Sequence, residues 1–398
     1  MNLPFQPHAV ANLPSKFADT AALLAHTTPG EPLYLFCAAR LVARAQLFRA
    51  LFPGTTSYAV KANPESEVLR TLVGQGIRHF DVASITEIRH VLEVCPDASL
   101  HYNNPVKDQS ALREAYEMRG LRSFALDDHA EFDKIHRVTQ GDSEVTFTVR
   151  FKLTHRDAAY DFGSKFGADI DTAAALLSRV RSAGGRPALT FHPGSQCSDP
   201  EVYVEYLQAA ARIAKLAGVE PEFINVGGGF PVQYPDEKAP PLATYFELIR
   251  QTAKRYFSGD IGLMCEPGRA MVADCVSLLA RVIHIRDCGS RVFLNDGVYG
   301  SFQEQSFTRF LVPSCVWRDS QRLGGREKPF QVFGPTCDPI DRMQRDIKWP
   351  AALREGDYIE FGLLGAYGSA TATCFNGFHA GDYVRINKGT DFMQEKKA

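Results

Sequence analysis

The chain has 398 residues, enough for two or three domains or for one large α/β barrel with a smaller companion. Hydrophobic residues make up 45% and charged residues 23%, near the globular average, which excludes a disordered or fibrous chain. With 44 Lys+Arg against 46 Asp+Glu the net charge is -2, which argues against a general nucleic-acid binder but not against a local phosphate site.

The first ~35 residues carry no assignable pattern. From there, short apolar, β-branched runs predict strands at Tyr34–Phe36, Thr56–Val60, His79–Val82, Ser99–Tyr102, Ser123–Leu126, Glu144–Phe151, Ala188–His192, Glu222–Val226 and Gly262–Glu266. Helical periodicity lies between many of them, as at Thr86–Val94, Asp171–Ala183 and Glu201–Leu216. Strand–helix alternation over about 230 residues predicts a parallel sheet with crossover helices, and so many strands favour closure into a barrel. After about residue 275 strand runs follow one another directly, at Cys275–Ile285, Arg291–Asn295, Phe330–Phe333, Asp357–Phe361 and Tyr383–Asn387. That predicts an all-β unit, with the polar Asp319–Lys328 stretch as an exposed loop.

No apolar run reaches the ~20 residues of a membrane helix, and the N-terminus lacks a basic start followed by a long apolar core. Cysteines stand singly at 37, 95, 197, 265, 275, 288, 315, 337 and 374, with no CxxC pair. A reduced, cytoplasmic compartment fits this better than a disulfide scaffold or a zinc module, and no metal is expected.

Five segments carry chemistry. Lys61 ends the strand in YAVKANP, at the mouth where barrels place their sites, and desolvation there would make it a Schiff-base nucleophile. His192, in FHPGSQ, could cover a flat ring. Gly227–Gly229 expose backbone N–H groups suited to a phosphate. In Cys265-Glu266-Pro267-Gly268-Arg269, a carboxylate can serve a ring nitrogen and a guanidinium can fork onto a phosphate. Cys337 stands beside Asp338, a thiol next to an acid. Taken alone each has an ordinary reading: a surface lysine, a structural histidine, a tight turn, an ion pair, a buried thiol with a capping acid. Together they supply what a flat-ring phosphate cofactor requires, with Lys61 on the aldehyde, Glu266 on the ring nitrogen and His192 on the face. Ser195, the 227–229 glycines, Arg269 and Tyr367 would take the phosphate.

These motifs resemble the ornithine/diaminopimelate/arginine decarboxylase family of pyridoxal-phosphate enzymes, nearest its ornithine decarboxylase branch. The matching segments are YAVKANP (58–64), FDVAS with Glu87 (80–87), KFGA (165–168), FHPGSQCSDP (191–200), NVGGGFP (225–231), EPGR (266–269), NDGVYGSF (295–302), GPTCDPIDR (334–342), GAYG (365–368) and FNGF (375–378). The resemblance implies an alanine-racemase-type (β/α)8 barrel over 37–275. A β-sandwich or barrel domain would combine 1–36 with 276–398. It implies pyridoxal 5'-phosphate held by Lys61, Asp81, Arg150, His192, Ser195, Gly228, Gly229, Glu266, Gly268, Arg269 and Tyr367. Catalysis would fall to Lys61, His192, Glu266 and Cys337, and substrate binding to Asp338, Tyr299, Phe307 and Thr308. It also implies a cytoplasmic homodimer with shared sites, into which Cys337 and Asp338 reach from the partner.

The implied reaction is decarboxylation of a basic amino acid: L-ornithine to putrescine for polyamine biosynthesis, with L-lysine as a further substrate. One departure stands out. The branch carries a second substrate-gripping acid where this chain has Thr308, between Phe307 and Arg309. Glu304, four residues earlier, would share a helical face with Thr308, whereas Arg309 would favour a distal carboxylate. The alternatives are therefore D-ornithine, D-lysine, diaminopimelate, a carboxylated polyamine or a siderophore precursor. Racemisation and a non-catalytic regulator are weaker readings, because GPTCD, the Glu266 carboxylate and the cofactor residues all stand.

Overall fold

The computed structural model describes residues 16–118, 121–153, 165–258, 261–287, 289–308, 310–379 and 381–392. Cys288 and Arg309 lie outside them. Strand β1 is Leu33–Phe36. It is followed by β2 Thr55–Ala59, β3 His79–Val82, β4 Ser99–Tyr102, β5 Ser123–Leu126, β6 Thr146–Arg150, β7 Arg186–Thr190, β8 Phe223–Asn225 and β9 Gly262–Cys265. Among the described residues, β2 to β9 close into a parallel barrel in chain order, β9 pairing back onto β2. Each strand is short and largely buried, as expected where the sheet lines a core and helices cover its outside.

The loops leaving the strands are set by helix caps. Ser84 accepts from the Glu87 N–H, Asp108 from Ser110 and Ala111, Asp128 from Ala130 and Asp169 from Thr172. After β3, β4 and β5 such caps start the next helix within a few residues of the strand. Because the barrel strands are all parallel, their C-terminal ends share one rim, where functional side chains gather. The barrel core is not wholly apolar. His79 Nδ1 on β3 lies 3.1 Å from His101 Nε2 on β4, and His101 Nδ1 lies 3.0 Å from Ser123 Oγ on β5. Burial holds His101 neutral, its pKa falling to about 3.

The remaining strands are β10 Val276–Arg286, β11 Arg291–Leu294, β12 Ser314–Arg318, β13 Gln321–Arg322, β14 Glu327–Phe333, β15 Ile347–Pro350, β16 Tyr358–Phe361 and β17 Tyr383–Arg385. They form a mostly antiparallel sheet ordered β13-β12-β16-β10-β11-β14-β15. The N-terminal β1 joins it, antiparallel to β10 and parallel to β17. The eleven-residue β10 shifts register between Val282 and His284, so its first half pairs with β16 and its second with β11.

The two units divide as 44–232 with 238–271, and 1–43 with 233–237 and 272–398. Relative to the 37–275 limits expected for the barrel, three short pieces fall with the sheet. Arg40 accounts for one, donating to the carbonyls of Asp274, Gly389 and Thr390. Asp236 accounts for another through its ion pair with Arg345 at 2.6 Å, as does Tyr234, whose ring stacks on Phe310. The Asp319–Lys328 stretch is exposed as expected, but it is not all loop: it contains β13 and opens β14. Among the described residues no helix is long and apolar enough to cross a membrane.

Candidate active site

Strand β2 ends one turn before its lysine. A 3-10 turn, Val60–Ala62, carries Lys61, whose Nζ lies 3.0 Å from Asp81 Oδ2 just inside the end of β3. The Lys61 side chain is 47% exposed and the Asp81 side chain 4%. The lysine is thus oriented by an ion pair. Glu87, on the next turn, accepts from the Ala83 N–H at 2.6 Å. Burial raises its pKa, and Asp81 adds to the rise.

Glu266 follows β9. Its Oε1 accepts from the side-chain amides of both Asn103, after β4, and Asn225, at the end of β8. Burial raises its pKa and the nearby Asp81 raises it further, while Lys61, Asn225 and Arg150 pull it back. The effect of Lys61 on Glu266 places the amine and the acid at one rim. Arg150, at the end of β6, is half-buried and feels Glu266 first among its anionic neighbours. Its guanidinium also faces the Phe166 ring, 5.5 Å from the centroid. Both amides use the same oxygen of Glu266, so Oε2 is the one left to meet a ring nitrogen.

His192 lies two residues beyond β7. Its Nδ1 accepts from the Gly194 N–H at 3.1 Å, which assigns the proton of the neutral ring to Nε2. Burial, then the charges of Arg150 and Lys61, hold the ring far below its ordinary proton affinity.

The three glycines after β8 are forced by close backbone approach. A Cβ on Gly227 would stand 2.2 Å from Phe191 O, one on Gly228 2.7 Å from Glu266 O, and one on Gly229 2.4 Å from Gly194 O. Gly227 and Gly229 also have positive φ, 68° and 88°. The loop is fixed from below by the Tyr203 hydroxyl, which donates to Gly228 O at 2.6 Å, and by Tyr203 stacking on Phe230. Beside it, Arg269, the residue after Gly268, is buried, with Nη2 3.4 Å from Ser195 Oγ.

Lys61, Asp81, Arg150, His192, Ser195, Gly228, Gly229, Glu266, Gly268 and Arg269 thus all lie in the barrel unit, at or just beyond its strand ends. Sequence reasoning passed over Asn103 and gave the Asn225 side chain no role. The faint signal was Asn103-Asn104-Pro105 directly after an apolar strand. The donor set suits pyridoxal phosphate. It offers an amine for an aldehyde, a proton-holding carboxyl for a ring nitrogen, a neutral flat ring, and a hydroxyl and guanidinium beside side-chain-free backbone for a phosphate. Among the described residues no cluster of three or more His, Cys, Asp or Glu is arranged to hold a metal.

The other expected residues lie in the sheet unit. Tyr299 OH donates to Asp338 Oδ2 at 2.6 Å, and Asp338 Oδ1 accepts from the Ile340 N–H. Cys337 is exposed and contacts Asn376. Tyr367 is half-buried with φ 59°. Phe307 is 56% exposed. Thr308 does not face a helical partner: Gln303–Ser306 is a 3-10 turn, and the Thr308 N–H and hydroxyl both bond the Glu304 backbone carbonyl. Thr308 also lines a small cavity with Gln305, Gln344 and Arg345.

Residues 38–273 match the family model described as the pyridoxal binding domain of pyridoxal-dependent decarboxylases. A lysine/ornithine decarboxylase from Selenomonas ruminantium is 36% identical, over 81% of each chain. The crystal structure of lysine decarboxylase from the same organism superposes with a TM-score of 0.81 at 31% identity, covering 92% of this chain and 95% of that one. The arginine decarboxylase of Paramecium bursaria Chlorella virus bound to agmatine gives 0.82 at 25% identity, over 92% and 98%.

Proposed function

The chain belongs to the pyridoxal-dependent decarboxylase family, and from that premise we propose that it converts L-ornithine to putrescine for polyamine synthesis, with L-lysine as a second substrate. It is a pyridoxal-phosphate enzyme that decarboxylates a basic amino acid. The observation that carries the active-site assignment is the joining of Lys61, Asp81, Arg150 and Glu266 in one electrostatic set.

Bound there, the cofactor supplies a sink for the electron pair left when carbon dioxide departs. The chain's residues do the rest. Lys61 is the amine that holds the cofactor's aldehyde carbon and later frees the product. Asp81 orients that amine. Glu266, whose burial favours the protonated form, keeps a proton at the ring nitrogen through Oε2. Arg150 sets the charge behind it. His192, fixed at Nδ1 and neutral, presents its ring face. Ser195, Gly228, Gly229, Gly268 and Arg269 hold the phosphate, and the family resemblance adds Tyr367. Cys337 is the general acid that returns a proton to the substrate's α-carbon.

Asp338 pairs with the distal ammonium and selects a basic side chain. Its support is the short bond from Tyr299, which braces the carboxylate. The sites are completed in a cytoplasmic homodimer, each partner lending Cys337 and Asp338 to the other. With Thr308 capping a turn, Asp338 grips the distal amine alone. A longer diamine chain is then tolerated as well as a shorter one.

A panel assay of carbon dioxide release tests this. It covers L- and D-ornithine, L- and D-lysine, L-arginine, diaminopimelate and 2,4-diaminobutyrate. L-Ornithine is expected to give the highest kcat/KM, with L-lysine within about tenfold. A clear preference for the diacid, or for a D-isomer, overturns the assignment.

A further inference from the structure

Cys337 stands on an exposed loop, where a free side chain would sample three staggered positions. It is held instead. Asn376 Oδ1 accepts from the Cys337 backbone N–H at 3.2 Å and from its Sγ at 3.3 Å. One acceptor shared by the amide and the thiol of a single residue fixes the sulfur relative to its own backbone. Asn376 is in the left-handed region, with φ 55° and ψ 16°, which asparagine and glycine tolerate best.

The segment that carries it is tied down on its other side. The Thr373 N–H and hydroxyl both donate to Tyr299 O at 2.8 Å. The Phe375 ring lies 4.6 Å from the Tyr299 ring, and Tyr299 in turn donates to Asp338. Residues 373–376 therefore brace the thiol and the neighbouring carboxylate together.

We infer that Asn376 is a positioning residue that aims the Cys337 thiol for proton delivery, a role that rests on the reading of Cys337 as the general acid. An amide oxygen accepts the S–H of a thiol, and a thiolate has no proton to offer it. The contact therefore exists only in the form able to donate; it sets where the sulfur sits, and the S–H turns from Oδ1 toward the α-carbon to deliver its proton.

Two substitutions separate the contact from the fold. N376G keeps the left-handed backbone and removes the acceptor, whereas N376D keeps an oxygen in the same place. On the holoenzyme, alkylation of Cys337 by iodoacetamide is followed by peptide mass. Turnover in deuterium oxide is followed by the enantiotopic purity of the deuterium at the product's amine-bearing carbon.

N376G is expected to alkylate about tenfold faster, to lose stereochemical purity and to drop kcat about tenfold with KM little changed, while N376D retains the purity. An active N376G that matches the wild type in alkylation and stereochemistry overturns the positioning role alone. A wild-type enzyme that releases no carbon dioxide from any basic amino acid overturns the functional reading beneath it.

Discussion

Removed from water and placed near Asp81, the Glu266 carboxyl holds its proton to about pH 8 against an ordinary 4.5. The folded chain therefore keeps a proton, between those values, that the unfolded chain has lost. Stability from this group is fully present below about 4.5 and is lost as pH rises through about 8. His101 acts in the opposite sense: its pKa of about 3 makes folding less favourable as pH falls below the ordinary 6.5. A difference curve against E266Q removes the histidine part, because both proteins share it. In urea unfolding of the cofactor-free protein, the wild type is expected to lose stability relative to E266Q between about pH 5 and 8, by at most about 1.4 kcal/mol per unit. A flat difference would mean that burial does not hold the proton on Glu266.

At the scale of elements, the glycine loop shows backbone contact deciding side-chain identity. Gly218 and Gly229 both have positive φ, but a Cβ at 218 meets nothing within 4 Å, whereas one at 229 meets the Gly194 carbonyl at 2.4 Å. G218A should cost about 1–2 kcal/mol of unfolding free energy from its backbone conformation alone. G229A should cost more than about 4 kcal/mol, because the loop bearing His192 and Ser195 must also move. Equal losses by urea titration would show that conformation, not the approach of the two loops, selects glycine there.

The same scale explains what the sequence makes legible. The barrel strands are readable because each is a short, largely apolar run, several of them followed closely by a capping Ser or Asp. β13 is not, since Gln321 and Arg322 are both exposed and leave no hydrophobic trace. β15 is missed for another reason: its buried Ile347 and Trp349 are separated by Lys348 and it ends at Pro350, a residue that reads against a strand. Among site residues, those with reactive side chains announce themselves in motifs. Asn103 does not, because its meaning arises only when closure of the barrel brings the end of β4 to Glu266 after β9.

At the scale of the whole molecule, the proposed lending of Cys337 by a partner chain makes a prediction of its own. Lys61 and Glu266 belong to the barrel unit, Cys337 and Asp338 to the sheet unit. Cys337 is exposed, as are Ile340, three residues on, and Phe375 and Phe378, which flank its partner Asn376 in sequence, 64%, 40% and 43% open to solvent. In the proposed homodimer, exposed apolar side chains of this kind would be covered by the second copy, and a two-fold arrangement would cover both copies at once. K61A and C337A should each release little carbon dioxide alone. Mixed in equal amounts after reversible dissociation, they pair at random, and half the dimers carry one of each. If Cys337 serves the partner's barrel, such a dimer has one doubly broken site and one intact site, so activity should return to about a quarter of wild type. If Cys337 serves its own barrel, every site in every dimer carries one lesion and the mixture stays inactive, with sedimentation confirming that the dimers formed.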